Sequence, residues 1–420
     1  MTRRLPDADA IDWAGILKPG ETVMIGEGAG EPLTLAESLV AARHGLRDIR
    51  VFLGMTLAGT FRPEHADTLA FSSYGALGQT RKLADAGVLD ILPIGLGQVP
   101  ALVARGALNL PVVAVALSPP GPDGRHSFGL TAMHLPAAIR SARLVIAEVN
   151  HALPYIPGET IAASEIDIMI ESERPAPELP AAAGSRTVEA IARHAARFIG
   201  DGASLQLGVG AIPEAICREL ADRRDLGIHS GLLSPSLARL IEQGVATGKH
   251  QPIVPGRAVF GAVMGDRALY DFVRGNAALH LAGIETTHGR AAEVDNLVAI
   301  NGALGVDLYG QVNAELAGRR HVGAIGGQAE FSRAGTIATR GRSIIALAAT
   351  SPDGRRSTIS AAPVPRVTTS RADVDIVVTE YGAAELAGCG EAERRRRLIA
   401  IAAPAFRDPL SAGEDRTDVD

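Results

Sequence analysis

Short runs of apolar residues alternate with amphipathic stretches along this chain, and glycine and proline mark the joints between them. Glu21 to Ile25, Ile49 to Leu53, Val88 to Leu92, Val112 to Leu117 and Leu144 to Glu148 each predict a buried strand. Thr187 to Ile199 carries its apolar residues at helical spacing and predicts an amphipathic helix. Beyond it, strands are expected from Ser204, at Ala258 to Val263, Asn296 to Ala299, Ser343 to Ala348 and Ile376 to Thr379. Two places share one grammar. After the strand at Glu21 to Ile25 comes a glycine turn, Gly26 to Gly30, and a helix opened by Pro32 that runs to about Arg43. The run Leu205 to Ile216 repeats this, with Gly208 and Gly210 in the turn and Pro213 in the first helical turn, where a missing N–H costs nothing. The free N–H groups of such a turn suit an anion or a developing oxyanion, though many α/β proteins carry one for packing only. Pro213 stands where the third glycine of a dinucleotide fingerprint belongs, so that reading is excluded.

This order predicts an α/β fold of two tandem domains. The proline- and alanine-rich stretch from Glu171 to Gly184 is the best place for a linker. The division that follows is a first domain over 1–175, a linker over 176–186, a second domain over 187–410 and a flexible tail over 411–420.

Composition narrows the classes of function. A chain of 420 residues has the length for two domains, and its low aromatic content, 4%, suits closely packed α/β layers. The formal charge of −6 argues against a nucleic-acid partner. Cys217 and Cys389 cannot form a disulfide framework and lack metal-ligand spacing; Cys217 reads as a buried small residue. The eleven histidines show no metal-binding spacing either. The longest apolar region, Val88 to Leu117, is broken by three prolines and several glycines, so no membrane span is expected, and no leader is apparent. A cytoplasmic protein is the expectation.

Ten motifs occur in order across nearly the whole chain: GAGEP at Gly28 to Pro32, SPPGPDGRHSFG at Ser118 to Gly129, AEVN at Ala147 to Asn150, and LQLGVGAIPEAI at Leu205 to Ile216. GVATGKH at Gly244 to His250, VMGDRALYDFV at Val263 to Val273 and VAINGALGVDLYGQVNAE at Val298 to Glu315 follow. AIGGQAEF at Ala324 to Phe331, VTEYGAAEL at Val378 to Leu386 and LIAIAAPAFRDPL at Leu398 to Leu410 complete the set. As a set they resemble the acetyl-CoA hydrolase / 4-hydroxybutyrate CoA-transferase family. The resemblance implies two CoA-transferase-type α/β domains with the active site in the cleft between them. It also implies a CoA thioester as substrate, a small carboxylate as acceptor, no permanently bound cofactor and assembly into a homodimer or higher homo-oligomer.

In that family a glutamate attacks the acyl-CoA, forming a mixed anhydride and CoA thiolate. The thiolate returns to give an enzyme–CoA thioester, from which a second carboxylate collects CoA. The glutamate follows a His-Ser or His-Thr pair. Here the corresponding run is Gly227-Ile-His-Ser-Gly-Leu-Leu-Ser234, which puts Gly231 in the glutamate's place, with no acidic residue between Leu226 and Ser236. Three readings follow: another group in the site takes over, hydrolysing or transferring; a different reaction is run on a CoA ester; or the chain is a non-catalytic CoA-ester-binding protein.

Candidate replacements are Glu27 inside the first glycine turn, set against the simpler reading of an exposed turn carboxylate, and His229, as a base, because an unperturbed imidazole titrates near neutrality. Ser230 and Ser234 offer hydroxyls without an assignable triad. By resemblance, Gly208, Val209, Gly210, Ala211 and Gly231, with Gly326, Gly327 and Gln328, would line the thioester and pantetheine. Asn301 and Asn313 would contact the acyl carboxylate or thioester oxygen, with Glu315 orienting Asn313 or a backbone amide. Lys249, Arg257 and Arg267 are candidates for the nucleotide phosphates, while Arg394 to Arg397 read as a solvated helix face. No metal is implied.

Overall fold

The structure, a computed structural model, describes residues 2–414. The chain divides into two compact units. The first is built from 1–180, 259–287 and 320–326; the second from 181–258, 288–319 and 327–420. The sequence reading runs 187–410 as one body, whereas two segments inside that range, 259–287 and 320–326, belong with the N-terminal unit. Of the tail assigned to 411–420, Ser411 and Ala412 close the helix Pro404–Ala412, and 415–420 lie outside the described residues.

In the first unit eight parallel strands run in the order Arg3–Arg4, Ile168–Ser172, Leu144–Asn150, Val112–Leu117, Thr22–Ile25, Ile49–Leu53, Leu69–Ser73, Leu89–Ile91. Every residue of Thr22–Ile25, Val112–Leu117 and Leu144–Asn150 is buried, as expected for parallel strands covered on both faces. Trp13, Ile25, Leu35, Leu39, Val51 and Phe71 share one of its apolar cores. Later segments complete it through backbone pairing. Thr131 bridges Ala262, Met133 bridges Gly283, Gly158 bridges Leu281, and Gly75 bridges Ala324.

The helix Leu33–Ala42 starts over a buried carboxylate. Glu148, in the AEVN motif, accepts from Thr34 N at 2.9 Å, Leu35 N at 3.3 Å, and the hydroxyls of Thr34 and Ser172 at 2.7 Å each. A negative charge belongs at that end of a helix.

In the second unit the strands follow the order Gly227–Leu233, Ser204–Leu207, Leu297–Gly302, Arg342–Ala346, Ile376–Thr379, Gly382–Glu385, parallel except for the last, a hairpin edge. A small three-stranded sheet, Val312–Asn313, Gly305–Asp307 and Ile359–Ser360, shares a core with the helix Glu391–Ala400 and the helix Pro404–Ala412. The linker ends where Ser185 caps the helix Arg186–Ala196, accepting from Val188 N at 3.2 Å.

Among the strands that escaped the sequence reading are Leu69–Ser73 and Ile168–Ser172 in the first unit's sheet. Both are five residues long and end in serine, so their apolar runs are too short to register.

Candidate active site

Open parallel sheets bind ligands beyond the carboxyl ends of their strands, where the strand order reverses direction. In the second unit that place lies between Ser204–Leu207 and Leu297–Gly302: of this unit's strands, Gly227–Leu233 lies on one side of Ser204–Leu207 and those from Leu297 onward lie on the other. The turn from Gly208 to Ala211 sits there. Gly210 takes φ +124°, a backbone only glycine adopts without strain, and precedes the helix Ala211–Glu219. A side chain at Gly208 or Gly210 would meet nothing within 4 Å, so this backbone faces open space. Val209 and Ala211 are half-buried beside them.

The strand Gly227–Leu233 neighbours this turn. Its register pairs Ser204 with Gly227 and Leu205 with Ile228, and continuing it sets Gly231 abreast of Gly208. Side chains two apart share a face of a strand, so His229 and position 231 look the same way. What stands opposite is aromatic. A Cβ at Gly231 would lie 3.1 Å from His288 Cε1, 3.4 Å from His288 Nε2 and 3.9 Å from Phe331 Cε2. The Phe331 ring centroid is 4.6 Å from that of His288 and 6.5 Å from that of His229. On the far side, a Cβ at Gly327 would overlap His288 Nε2. His288 is thus held between two glycines and a phenylalanine ring, and is 6% exposed. His229 is fully buried.

The hydroxyls on this strand are structural. Ser230 Oγ donates to Leu207 O at 3.1 Å, and Ser234 caps the helix Pro235–Glu242, accepting from Leu237 N at 3.4 Å.

Asn301 and Gln206 meet side by side across adjacent strands. Asn301 Nδ2 donates to Gln206 Oε1 at 3.1 Å, and Gln206 Nε2 donates to Asn301 Oδ1 at 3.4 Å. The pair leaves one N–H on each amide for another acceptor. Asn313 differs from the expectation of a substrate contact. It is buried, its Nδ2 donates to Leu316 O at 2.7 Å, and its Oδ1 accepts from Glu315 N and Leu316 N at 3.0 Å each. That side chain holds its own turn. The Glu315 carboxylate accepts from Thr368 Oγ1 at 3.0 Å.

Gly326 belongs with the first unit, where its carbonyl accepts from Leu96 N at 3.0 Å, and Gly327 and Gln328 belong with the second. Gln328 opens the helix Gln328–Ile337, and its Nε2 is buried with no hydrogen-bond partner among the described residues.

The first unit has its own buried acid. Glu27 is 4% exposed, which corrects the reading of an exposed turn carboxylate. Tyr74 Oη donates to its Oε2 at 2.6 Å, Met55 N donates at 3.1 Å, and His134 Nε2 faces its Oε1 at 3.3 Å. Burial pushes the Glu27 carboxyl up, but the facing His134 with the Tyr74 and Met55 hydrogen bonds outweighs it and holds Glu27 below the usual range. Burial and the same carboxylate push the Tyr74 phenol well up. Glu31, also buried, accepts from the backbone N–H groups of Leu57 and Ala58. Its burial dominates these bonds, the Glu27 charge adds repulsion, and the carboxyl is pushed up to about 8.

The cationic candidates are largely engaged. Lys249 pairs with Asp225 at 3.0 Å and Arg267 with Asp271 at 3.2 Å. The Arg394–Arg397 run is less free than a solvated face: Arg394 and Arg395 donate to backbone carbonyls, and Arg396 and Arg397 both clasp Glu393. Cys217 is buried, which pushes its thiol up to about 11. Among the described residues no cluster of three or more His, Cys, Asp or Glu could hold a metal, and no helix is long and apolar enough to cross a membrane.

Sequence reasoning missed His288, Phe331, His134 and Tyr74. None lies in a spacing that signals chemistry; each matters through what folding sets beside it.

Parallel α/β units with glycine turns at their strand ends define a class of ligand-binding proteins, and comparison with known proteins narrows it. Residues 3–180 match the acetyl-CoA hydrolase/transferase N-terminal domain, and 265–413 match the C-terminal domain of the same name. The chain is 35% identical over 398 residues to the 4-hydroxybutyrate coenzyme A transferase of Clostridium kluyveri, covering 92% of each. It is 31% identical to the succinyl-CoA:cyclohexane-1-carboxylate CoA transferase of Geobacter metallireducens, covering 97% of this chain and 94% of that one. The crystal structure of RipA from Yersinia pestis superposes with a TM-score of 0.92 at 31% identity, over 98% of this chain and 96% of that one. The chain belongs to the acetyl-CoA hydrolase/transferase family, a family of enzymes.

Proposed function

We propose that this protein acts on acyl-CoA thioesters, as a hydrolase or an acyl-CoA:carboxylate CoA-transferase, by a route that forms no glutamyl–CoA at position 231. The observation that carries this reading is glycine at 231, in the run that resembles the family's glutamate motif. Family membership supports the substrate class: the relatives above are named as CoA transferases. The turn at Gly208 to Ala211 offers backbone that faces open space beside position 231, and the N–H groups of such a glycine turn are the kind of donors a thioester oxygen needs. Coenzyme A enters as substrate, with no resident cofactor in the scheme.

The test is a panel of acyl-CoA esters, each with and without acetate, with free thiol release and acyl exchange followed together. Exchange that requires acetate makes the protein a transferase with a substitute nucleophile. Thiol release without exchange makes it a hydrolase. Binding of CoA esters with neither reaction favours the second reading, a CoA-ester-binding protein, for which the same missing carboxylate argues. Failure to bind any CoA ester overturns the proposal.

A further inference from the structure

We infer that His288 stands in for the absent carboxylate and serves as general base for attack of water on the thioester, so that the protein is a hydrolase. This rests on the acyl-CoA reading above.

The argument is one of occupied space. A glutamate at 231 would project from a Cβ lying 3.1 Å from His288 Cε1 and 3.4 Å from Nε2, tighter than carbon atoms normally approach. The imidazole therefore abuts the point from which such a side chain would start, and would have to give by a few tenths of an ångström to admit it. Gly327 makes the opposite wall, where any Cβ would overlap Nε2, and the Phe331 ring lies against the imidazole at 4.6 Å. A glycine on a strand, with a glycine and an aromatic from the first turns of one helix, fix the ring. Its Nε2 edge is the one turned toward both glycines. Gly327 and Gln328 beside it are half-buried. Abreast of Gly231 runs the open glycine turn at Gly208.

An imidazole in this place changes what can be made. A carboxylate traps the acyl group as an anhydride and later carries CoA, conserving the thioester for transfer. A neutral imidazole instead takes a proton from water while the water oxygen bonds to the thioester carbonyl carbon. The carbon–sulfur bond then breaks, and sulfur leaves with the bonding pair. The imidazolium proton passes to the thiolate. One thioester and one water become one carboxylic acid and one CoA thiol, and the base is regenerated.

The experiment follows thiol release from acetyl-CoA and butyryl-CoA without added carboxylate, together with CoA binding by calorimetry. The wild type is expected to release thiol, to show no acetate-dependent exchange and to place one oxygen from labelled water in the acid. His288→Gln is expected to lose at least about a hundredfold in rate while still binding CoA, and His288→Gly to regain activity with added imidazole. The double variant Gly231→Glu with His288→Ala, which opens the space, is expected to gain acetate-dependent exchange. Hydrolysis retained within about threefold in His288→Gln overturns the inference and leaves the acyl-CoA reading standing. Obligatory exchange by the wild type does the same without any variant having to fold. A wild type that binds no CoA ester overturns both.

Discussion

At the scale of single residues, two buried carboxyls in neighbouring turns behave oppositely. Glu27 has a histidine, a phenol and a backbone N–H to hold its charge, and Glu31 has backbone N–H groups alone against its burial. Folding therefore favours the protonated form of Glu31, whose carboxyl is raised from the usual range to about 8. A group with a raised folded value contributes its full stability below its unfolded value near 4.5 and loses it as pH rises toward 8. Within that window the loss is about 1.4 kcal/mol per pH unit. Glu31→Gln, which cannot ionise, is expected to flatten the fall in melting temperature between pH 5 and pH 8. An unchanged pH profile in that variant would show that Glu31 is already ionised in the folded protein.

At the scale of elements, the helix Leu33–Ala42 depends on a residue from a strand distant in sequence. Glu148 supplies the oxygens that its first N–H groups need. Glu148→Gln keeps the shape and removes the charge, and should cost about 1 to 2 kcal/mol; Glu148→Ala leaves several buried donors unmet and should cost more. Urea denaturation of the two variants checks the order. The same scale shows what could be read beforehand. Val112–Leu117, Ala258–Val263 and Ile376–Thr379 match the sequence reading to the residue, because each is an apolar run with polar or glycine-rich flanks. Glycine turns and proline-opened helices were equally legible. Gly231 stood out because a motif led to it. His288 did not, since it lies on an irregular stretch far along the chain and only folding carries it to that glycine. Asn313 misled for the opposite reason: its side chain is consumed by a turn whose geometry no spacing rule announces.

At the scale of the whole molecule, the first unit is assembled from three stretches of chain. Backbone groups of 1–180 find partners in the later stretches: Ala132 N donates to Gly261 O at 2.9 Å, Leu179 N to Gly265 O at 2.8 Å and Ala76 N to Gly323 O at 2.9 Å. A fragment spanning 1–180 lacks these partners. It is expected to unfold at lower temperature than the full chain and to be cleaved faster by protease, whereas equal resistance would show the later segments to be ornament. The matched N-terminal family domain ends at residue 180, so the border drawn from sequence is not where this unit is complete. This bears on synthesis. A ribosome that has made residue 180 must add about 145 more before the last segment of that unit exists, which takes roughly 7 to 30 seconds at ordinary elongation rates. During that interval the backbone groups of Ala76, Ala132 and Leu179, beside the sheet, wait without these partners, and a chaperone that shields them has its window there.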